Sequence, residues 1–272
     1  MTSGHSSTAG HEHEYAYLDH EGPLAFAHRG GALHPDNHGL ENSRAAFQTA
    51  IDLGYRYLET DVHVTRDGVV IAFHDETLDR TTTGAGAIAD LPYAEVKKAL
   101  IGGREPIATL GELFDAWPQA RFNIDLKSVG AITPLVDLLR EHDAFDRVCV
   151  ASFSESRIRR ARALLGPTVA TGLGPLAVAV LKFVPFRWLR ARLLPPGVCA
   201  QIPLKAGPVE LPTARFVRRA HDHGKHVHIW TVDDAPTMHT LLDRGVDGLV
   251  TDRIDTLRDV LLERGQWKAA EA

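Results

Sequence analysis

The chain has 272 residues, of which 44 % are hydrophobic and 24 % are charged. This composition is ordinary for a globular protein and excludes wholesale disorder. The formal net charge is −5, so the chain lacks the broad basic field of nucleic-acid-binding proteins, and we expect no such partner. Cys149 and Cys199 form no Cys-x-x-Cys pair, which argues against a zinc site or a disulfide framework. The polar first residues do not resemble a secretory signal, so a cytoplasmic location is expected.

Both ends of the chain are predicted to be tails. Residues 1–22 are rich in Ser, Thr, Gly, His and Glu and show no periodic apolar pattern, which is typical of a flexible segment. Residues 265–272 also lack such a pattern. The folded domain is therefore expected to span residues 23–264.

Short apolar runs recur along this domain, and most are followed by stretches with helical spacing. Alternating strand and helix patterns predict a parallel sheet with crossover helices. The candidate strands are Leu24–Ala27, Tyr57–Val62, Val69–Phe73, Arg121–Leu126, Val148–Phe153, Thr168–Thr171, Cys199–Ile202, Val227–Val232 and Gly248–Val250.

One candidate strand does not fit the parallel pattern. Val69 follows Val62 too closely for a crossover helix, and Asp67-Gly68 between them indicates a hairpin. Without this strand, eight β/α units remain. The predicted fold is therefore an α/β protein of the (β/α)₈ TIM barrel class, with a small insertion after strand two at about residues 63–107. A doubly wound open sheet is the alternative, but no Gly-x-Gly-x-x-Gly follows the first strand.

Three carboxylates lie inside the strand-like runs. Glu59 and Asp61 are two residues apart and therefore on one face of strand two, and Asp125 lies in the next barrel strand. Charged groups are costly to bury unless they are paired or bind a metal. Oxygen ligands alone select a hard divalent ion, Mg²⁺ or Ca²⁺. The alternative is ion pairing with Arg29 and Lys127 across the barrel.

Two histidines and two cations follow strands at the same predicted edge. His28 and His74 are candidates for general acid and base, because an unperturbed histidine titrates near neutral pH. Arg29 and Lys127 add positive charge there, where charge-assisted hydrogen bonds would stabilise a phosphate oxygen. Together with a carboxylate-bound metal, these groups indicate phosphoester chemistry.

The ordered set of motifs resembles the glycerophosphodiester phosphodiesterase family, over almost the whole chain from Ala25 to about Asp255. Each motif alone is weak, but the ordered set is highly specific. The motifs are His28-Arg29-Gly30, Glu41-Asn42, Glu59-x-Asp61, Thr65-x-Asp67-Gly68, His74-Asp75, Asp125-x-Lys127, Ser152-Phe153 and Gly245-Val246-Asp247-Gly248-x-x-Thr251-Asp252.

The resemblance implies a TIM barrel that hydrolyses glycerophosphodiesters to glycerol 3-phosphate and an alcohol with a divalent cation. It also implies roles for eight residues. They are the metal ligands Glu59, Asp61 and Asp125, the acid/base residues His28 and His74, and the substrate-binding residues Arg29, Lys127 and Trp230. Two positions depart from the family pattern. The third ligand is usually Glu and is Asp125 here, and the usual Pro before Glu41-Asn42 is Leu40.

Two other functions remain open. A lysophospholipase D-type or sphingomyelinase D-like enzyme has the same fold and metal set, and a non-catalytic phosphate-binding barrel is an alternative of a different class. Residues 175–194 are apolar on one side and basic on the other, are broken by Pro185, and are too short to span a bilayer. They predict either peripheral membrane contact or an ordinary helix layer of the barrel.

Overall fold

The computed structural model describes residues 15–270 and shows a ring of parallel strands surrounded by helices. The strands are β1 (Leu24–His28), β2 (Tyr57–Val64), β3 (Val70–Ala72), β4 (Leu100–Ile101), β5 (Glu105–Pro106), β6 (Arg121–Leu126), β7 (Val148–Ala151), β8 (Ala170–Thr171), β9 (Cys199–Pro203), β10 (Lys205–Ala206), β11 (Val209–Glu210), β12 (His226–Trp230) and β13 (Gly248–Thr251). The α-helices are α1 (Arg44–Asp52), α2 (Tyr93–Val96), α3 (Leu110–Ala116), α4 (Ile132–Glu141), α5 (Glu155–Leu165), α6 (Pro175–Phe183), α7 (Arg187–Leu193), α8 (Ala214–His221), α9 (Ala235–Asp243) and α10 (Ile254–Glu263).

Eight strands form the barrel in the order β8-β7-β6-β2-β1-β13-β12-β9, each parallel to its neighbour. The ring closes between β8 and β9, where Val198 N donates to Thr171 O (2.7 Å) and Leu173 N donates to Cys199 O (2.8 Å). The predicted (β/α)₈ barrel is thereby confirmed. All eight predicted barrel strands are present, although β8 is shorter than expected and β7 ends at Ala151.

The predicted hairpin after strand two is also present. β3 pairs antiparallel with the end of β2, with Val62 opposite Ala72 and Val64 opposite Val70. Gly68 takes a φ of 87° in the turn, a backbone conformation that favours glycine. The segment from β3 to β5 packs around a small core of its own, which contains Ile71, Phe73, Leu78, Ile88, Val96, Ile101 and Ile107. This is the expected insertion after strand two, while the exact domain boundaries stay predictions.

Helix caps fix where five of the outer helices begin. In each case a Ser, Thr or Asp side chain accepts the N–H of the residue three positions later, which satisfies a donor that the first helical turn leaves free. The caps are Ser43, Thr109, Ser154, Thr213 and Asp234. The helices then bury their apolar sides against the outer faces of the strands, which forms the main core of the protein.

The two predicted tails differ from expectation where the structure describes them. Tyr17 and Leu18 are buried beneath the amino ends of the strands, and the Tyr57 hydroxyl donates to Tyr17 O (2.7 Å). At the other end, the Trp267 ring packs edge-on against Tyr55. Two isolated aromatic residues carry no periodic pattern, which is why the sequence did not indicate this packing. Residues 1–14, 271 and 272 lie outside the described residues, and their prediction as tails stays untested.

No helix among residues 15–270 is both long and apolar enough to cross a bilayer. The cytoplasmic location stays a prediction. Cys149 and Cys199 are both buried and free, with their sulfurs 3.8 Å apart.

Candidate active site

The register of three neighbouring strands brings the predicted site residues together. His28 on β1 lies level with Glu59 on β2, and Asp61 on β2 lies level with Asp125 on β6. These positions are at the carboxyl end of the barrel, where sites in this fold occur. A cavity of about 700 Å³ opens there. All eight predicted site residues line it: His28, Arg29, Glu59, Asp61, His74, Asp125, Lys127 and Trp230.

A sharp turn after β1 places the first of these groups. Arg29 takes a φ of 51°, and its backbone N–H faces Glu59, with Oε2 of that side chain at 3.2 Å. Gly30 follows at a φ of 86°, and a Cβ there would lie 2.7 Å from the backbone of Ala46 in α1. The His-Arg-Gly order is therefore dictated by backbone geometry as well as by chemistry.

Asp61 is the most heavily paired carboxylate of the cluster. Its Oδ2 lies 3.0 Å from Arg29 Nε and accepts from Asn42 Nδ2 (3.1 Å), and its Oδ1 lies 2.7 Å from Lys127 Nζ. Burial opposes its ionisation, but Arg29 and Lys127 outweigh burial and hold the pKa of Asp61 below its usual 3.8. Asp61 is therefore an anion that the protein itself stabilises.

The other two carboxylates are less well compensated. Burial, followed by the charge of Asp61, raises the pKa of Glu59 to about 7. Burial also raises the pKa of Asp125 despite a 2.8 Å ion pair between its Oδ2 and Lys127 Nζ. Asp125 Oδ1 is buried and has no hydrogen-bond partner. An unpartnered carboxylate oxygen beside two more carboxylates fits the donor set of a hard divalent cation.

The three carboxylates are not already spaced around an ion. Among residues 15–270 no group of three His, Cys, Asp or Glu side chains has the spacing of a metal site. The Lys127 ammonium explains this, because it lies between Asp61 and Asp125 and bridges them. Both readings of the sequence, metal ligation and ion pairing, thus involve the same side chains.

His28 is held by a residue that the sequence analysis did not assign. Its Nδ1 lies 2.8 Å from Asp252 Oδ1, at the end of β13, and its Nε2 lies 3.8 Å from Glu59 Oε2. Burial lowers the pKa of His28, but Glu59 and Asp252 raise it, and it lies above the usual 6.5. Asp252 thereby fixes the ring and leaves Nε2 facing the cavity.

His74 has an equivalent carboxylate partner. Its Nδ1 lies 2.5 Å from Asp75 Oδ1, and Arg80 in turn contacts both Asp75 and Glu41. The Arg80 hydrogen bond holds the pKa of Asp75 well below its usual range. His63 lies on the cavity-side face of β2, but its Nε2 contacts the backbone oxygen of His74 (3.0 Å). His63 is a packed rim histidine that positions the His74 backbone.

One flank of the cavity is apolar. Trp230 lies at the end of β12, and its ring packs edge-on against Phe153 with 5.2 Å between the centroids. Two amide side chains that also line the cavity pair with each other, and Gln201 Nε2 donates to Asn123 Oδ1 (2.7 Å). The rest of the flank comes from α6 and the turn before it, from β9, and from the segment after β9. Its residues are Leu173, Pro175, Val178, Ala179, Phe183, Ile202, Ala206 and Leu211.

Residues 28–256 match the sequence profile of the glycerophosphoryl diester phosphodiesterase family. The chain belongs to this family. A probable glycerophosphodiester phosphodiesterase 2 of Mycobacterium tuberculosis is 43 % identical, over 93 % of this chain and 96 % of that protein. A glycerophosphodiester phosphodiesterase of Caldanaerobacter subterraneus is 30 % identical, over 89 % of this chain and 99 % of that protein.

Solved structures of two phosphodiesterases share the fold. An Oleispira antarctica phosphodiesterase in complex with its product sn-glycerol-3-phosphate has a TM-score of 0.74 and 25 % identity, covering 88 % of this chain and 97 % of that one. A glycerophosphodiester phosphodiesterase of Agrobacterium tumefaciens has a TM-score of 0.70 and 22 % identity, covering 86 % and 99 %. The predicted family is confirmed.

Proposed function

We propose that the chain, which hydrolyses glycerophosphodiesters to glycerol 3-phosphate and an alcohol, uses a divalent cation held by Glu59, Asp61 and Asp125. The observation that carries this proposal is the buried, partnerless Oδ1 of Asp125 beside two further carboxylates. When bound, such a cation, Mg²⁺ or Ca²⁺, neutralises phosphoryl oxygens and favours attack on phosphorus. The raised pKa of Glu59 is consistent with a ligand that lacks its counter-charge.

Proton transfer is assigned to His28 and His74. They come from β1 and from the end of β3, two strands that both pair with β2, and each ring is fixed through Nδ1 by an aspartate. One histidine takes the proton of the attacking water as the new P–O bond forms, or that of a glycerol hydroxyl, whose attack gives a cyclic phosphate that water opens in a second step. The other gives its proton to the departing alkoxide as the old P–O bond breaks.

Arg29 and Lys127 are assigned to the phosphate. The Arg29 guanidinium and the Lys127 ammonium both line the cavity, and each forms an ion pair with Asp61. A phosphodiester anion offers them a second set of oxygens, and a cation at the carboxylates would free Lys127 from its bridge between Asp61 and Asp125. Trp230, which closes one side of the cavity, is assigned to packing against the glycerol moiety.

The test is direct. The protein is incubated with glycerophosphocholine and Mg²⁺ or Ca²⁺, with and without a chelator, and glycerol 3-phosphate is measured with a coupled dehydrogenase. We expect product only when free divalent cation is present. Full turnover in excess chelator would contradict the metal proposal, and binding without turnover under any condition would favour a non-catalytic phosphate-binding barrel.

A second substrate class is favoured by one feature of the cavity. Its flank formed by Leu173, Val178, Phe183 and Leu211 is apolar, which suits a glycerol moiety that carries an acyl chain. Lysophospholipids are diesters of this kind, and a place in lipid metabolism would follow. Comparing kcat/KM for lysophosphatidylcholine and glycerophosphocholine tests this directly, and a higher value for the water-soluble diester would reject the lipid class.

A further inference from the structure

The helices α6 and α7 expose an unusual number of large apolar side chains. Ten such side chains are exposed in the described part of the chain, and five of them lie between positions 176 and 193. We call them, with the exposed cations Arg187 and Arg192, the α6–α7 surface. Its apolar members are Leu176 (66 % exposed), Phe183 (67 %), Phe186 (59 %), Trp188 (68 %) and Leu193 (49 %).

The way these helices attach to the barrel explains the exposure. The buried residues of α6 are Ala177 and Leu181. In α7 the buried residue is Arg190, and no apolar side chain of that helix is buried. The guanidinium of Arg190 donates to the carbonyl oxygens of Val184 (3.0 Å) and Pro185 (2.9 Å). Both carbonyls belong to the same segment, and beyond it the Nε of Arg190 donates to His223 Nε2 (3.3 Å). Of the large apolar side chains of α7, Leu189 is half-buried, and Trp188 and Leu193 are exposed. The helix layer predicted as the alternative for residues 175–194 exists, but it leaves an apolar face in contact with water.

Charge is concentrated in the same part of the chain. Residues 156–221 contain 12 Lys and Arg and a single acid, Glu210, so their net charge is +11 while that of the whole chain is −5. Glu210 is itself paired with Arg244. The helices α5, α6 and α8 of this segment follow the neighbouring strands β7, β8 and β9, so the excess positive charge lies on one side of the barrel.

The α6–α7 surface is continuous with the active-site cavity. Phe183 is two-thirds exposed and also lines the cavity, together with Val178 and Ala179 from the same helix. One side of α6 therefore borders the apolar flank of the cavity, and residues at its end reach the outer surface.

We propose that the α6–α7 surface binds an anionic phospholipid bilayer. Exposed Trp, Phe and Leu beside Arg are the composition of a helix that lies in the membrane interface, where basic residues attract anionic lipids. Charge favours this partner over a second copy of the chain. Residues 175–194 contain four Lys and Arg and no acid, and an isologous contact would set two such segments against each other.

The proposal is tested by co-sedimentation with phospholipid vesicles. Wild-type protein is expected to sediment with vesicles of phosphatidylcholine and phosphatidylglycerol at low salt, much less with phosphatidylcholine alone, and less as salt is added. Binding is scored without turnover, so the outcome is independent of the proposed function. Failure to bind the anionic vesicles at low salt would overturn the proposal.

Two double variants locate the surface, and neither changes a residue that lines the cavity. Phe186→Ser/Trp188→Ser should weaken binding at least about tenfold, because two interfacial aromatic side chains are lost. Arg187→Glu/Arg192→Glu should weaken it by more than about fivefold per arginine. The matched controls are Leu262→Ser on α10 and Lys97→Glu/Lys98→Glu in the insertion, all exposed positions, which should bind as wild type.

Folding is checked by thermal unfolding and by turnover of glycerophosphocholine, both of which should stay near wild type. The charge variant keeps every apolar side chain, so it tests the surface even if the serine variant fails to fold. Wild-type binding by the charge variant would overturn the proposal. A lipid-free dimer that is abolished by Phe186→Ser/Trp188→Ser would also overturn it, in favour of self-association.

Discussion

The two ends of the barrel differ in how completely their buried charged groups are paired within the protein. At the amino end, Arg121 is only 7 % exposed, and its guanidinium donates to Tyr17 O (2.8 Å), Asp19 O (2.7 Å) and the Tyr57 hydroxyl (2.8 Å). At the carboxyl end, Asp125 keeps a buried oxygen without a partner, and Glu59 has a pKa near 7. The buried charge at the amino end is thus paired within the protein, although the Tyr17 hydroxyl there has no partner, whereas the buried carboxylates at the carboxyl end are only partly paired.

This difference separates stability from function. Buried groups without partners lower the stability of a fold, so they persist where a cation or substrate supplies what is missing. Groups that are satisfied within the protein stabilise it and take no part in binding. Substitutions at the two ends should therefore have opposite consequences, and four experiments test this from the largest expected effect to the smallest.

The largest effect is expected at Asp61, which contacts Arg29, Lys127 and Asn42 at the centre of the cluster. Asp61→Ala should reduce kcat/KM for glycerophosphocholine by at least about 10⁴-fold, since it removes a proposed cation ligand and the partner of both phosphate-binding cations. The control is Asp137→Ala, an exposed position on α4. Full activity of the Asp61 variant at saturating Mg²⁺ and Ca²⁺ would reject the ligand assignment.

Next come the histidines. His28→Ala and His74→Ala should each lower kcat by roughly 10²–10⁴-fold, the usual contribution of a positioned acid or base, with smaller changes in substrate binding. The exposed His38, changed to Ala, is the matched control. Near-normal turnover by either variant would remove that histidine from the mechanism.

Most of the barrel could be predicted because buried parallel strands are continuous apolar runs, and the Asp67-Gly68 turn identified β3, the antiparallel strand of the main sheet. The partner of His28 could not. Asp252 lies 224 positions away, and the contact exists only because the ring closes with β13 beside β1. The sequence showed polar residues at strand ends but not which ends would be neighbours.

Short polar elements were missed for a different reason. The hairpin of β10 and β11 has two residues in each strand, and those strands are largely exposed, so no apolar period marks it. Similarly, the bridge that Lys127 forms between Asp61 and Asp125 depends on side-chain conformation rather than on spacing. The sequence offered metal ligation and ion pairing as alternatives, and the structure shows the ion pairs on the carboxylates that are the proposed metal ligands.

At the amino end the expected effect is on stability alone. Arg121→Met should lower the free energy of unfolding by about 1–3 kcal/mol, because two buried acceptors, Tyr17 O and the Tyr57 hydroxyl, lose their donor. Turnover per folded molecule should stay near wild type, since Arg121 lies at the opposite end of β6 from Asp125. Urea unfolding gives the first quantity and glycerophosphocholine turnover the second. Arg140→Met on α4 is the control, and a fall in kcat without a loss of stability would contradict the division between the two ends.

The smallest expected effect is the change in the free energy of unfolding on replacing Glu59 by Gln. Its sign depends on pH and on whether a metal ion is bound. The pKa of this carboxyl is about 7 in the folded protein against a usual 4.5, so the folded state holds the proton more tightly than the unfolded chain. Metal-free wild type should therefore lose stability as the pH rises through this interval, and the loss should be complete above about pH 7. Because Gln cannot ionise, the Glu59→Gln variant should not lose stability in this way as the pH rises.

We expect metal-free Glu59→Gln to gain on wild type by on the order of 1 kcal/mol between about pH 5 and pH 8, measured by urea unfolding in chelator. Saturating Mg²⁺ or Ca²⁺ should reverse the order, because a ligand that binds the native state stabilises it and the variant has lost a donor. Asp61→Asn is the matched comparison and should be less stable than wild type without metal, since Asp61 has a lowered pKa. If Glu59→Gln were the less stable protein at every pH in chelator, the Glu59 carboxylate would be stabilised within the protein as Arg121 is. The contrast between the two ends would then be wrong.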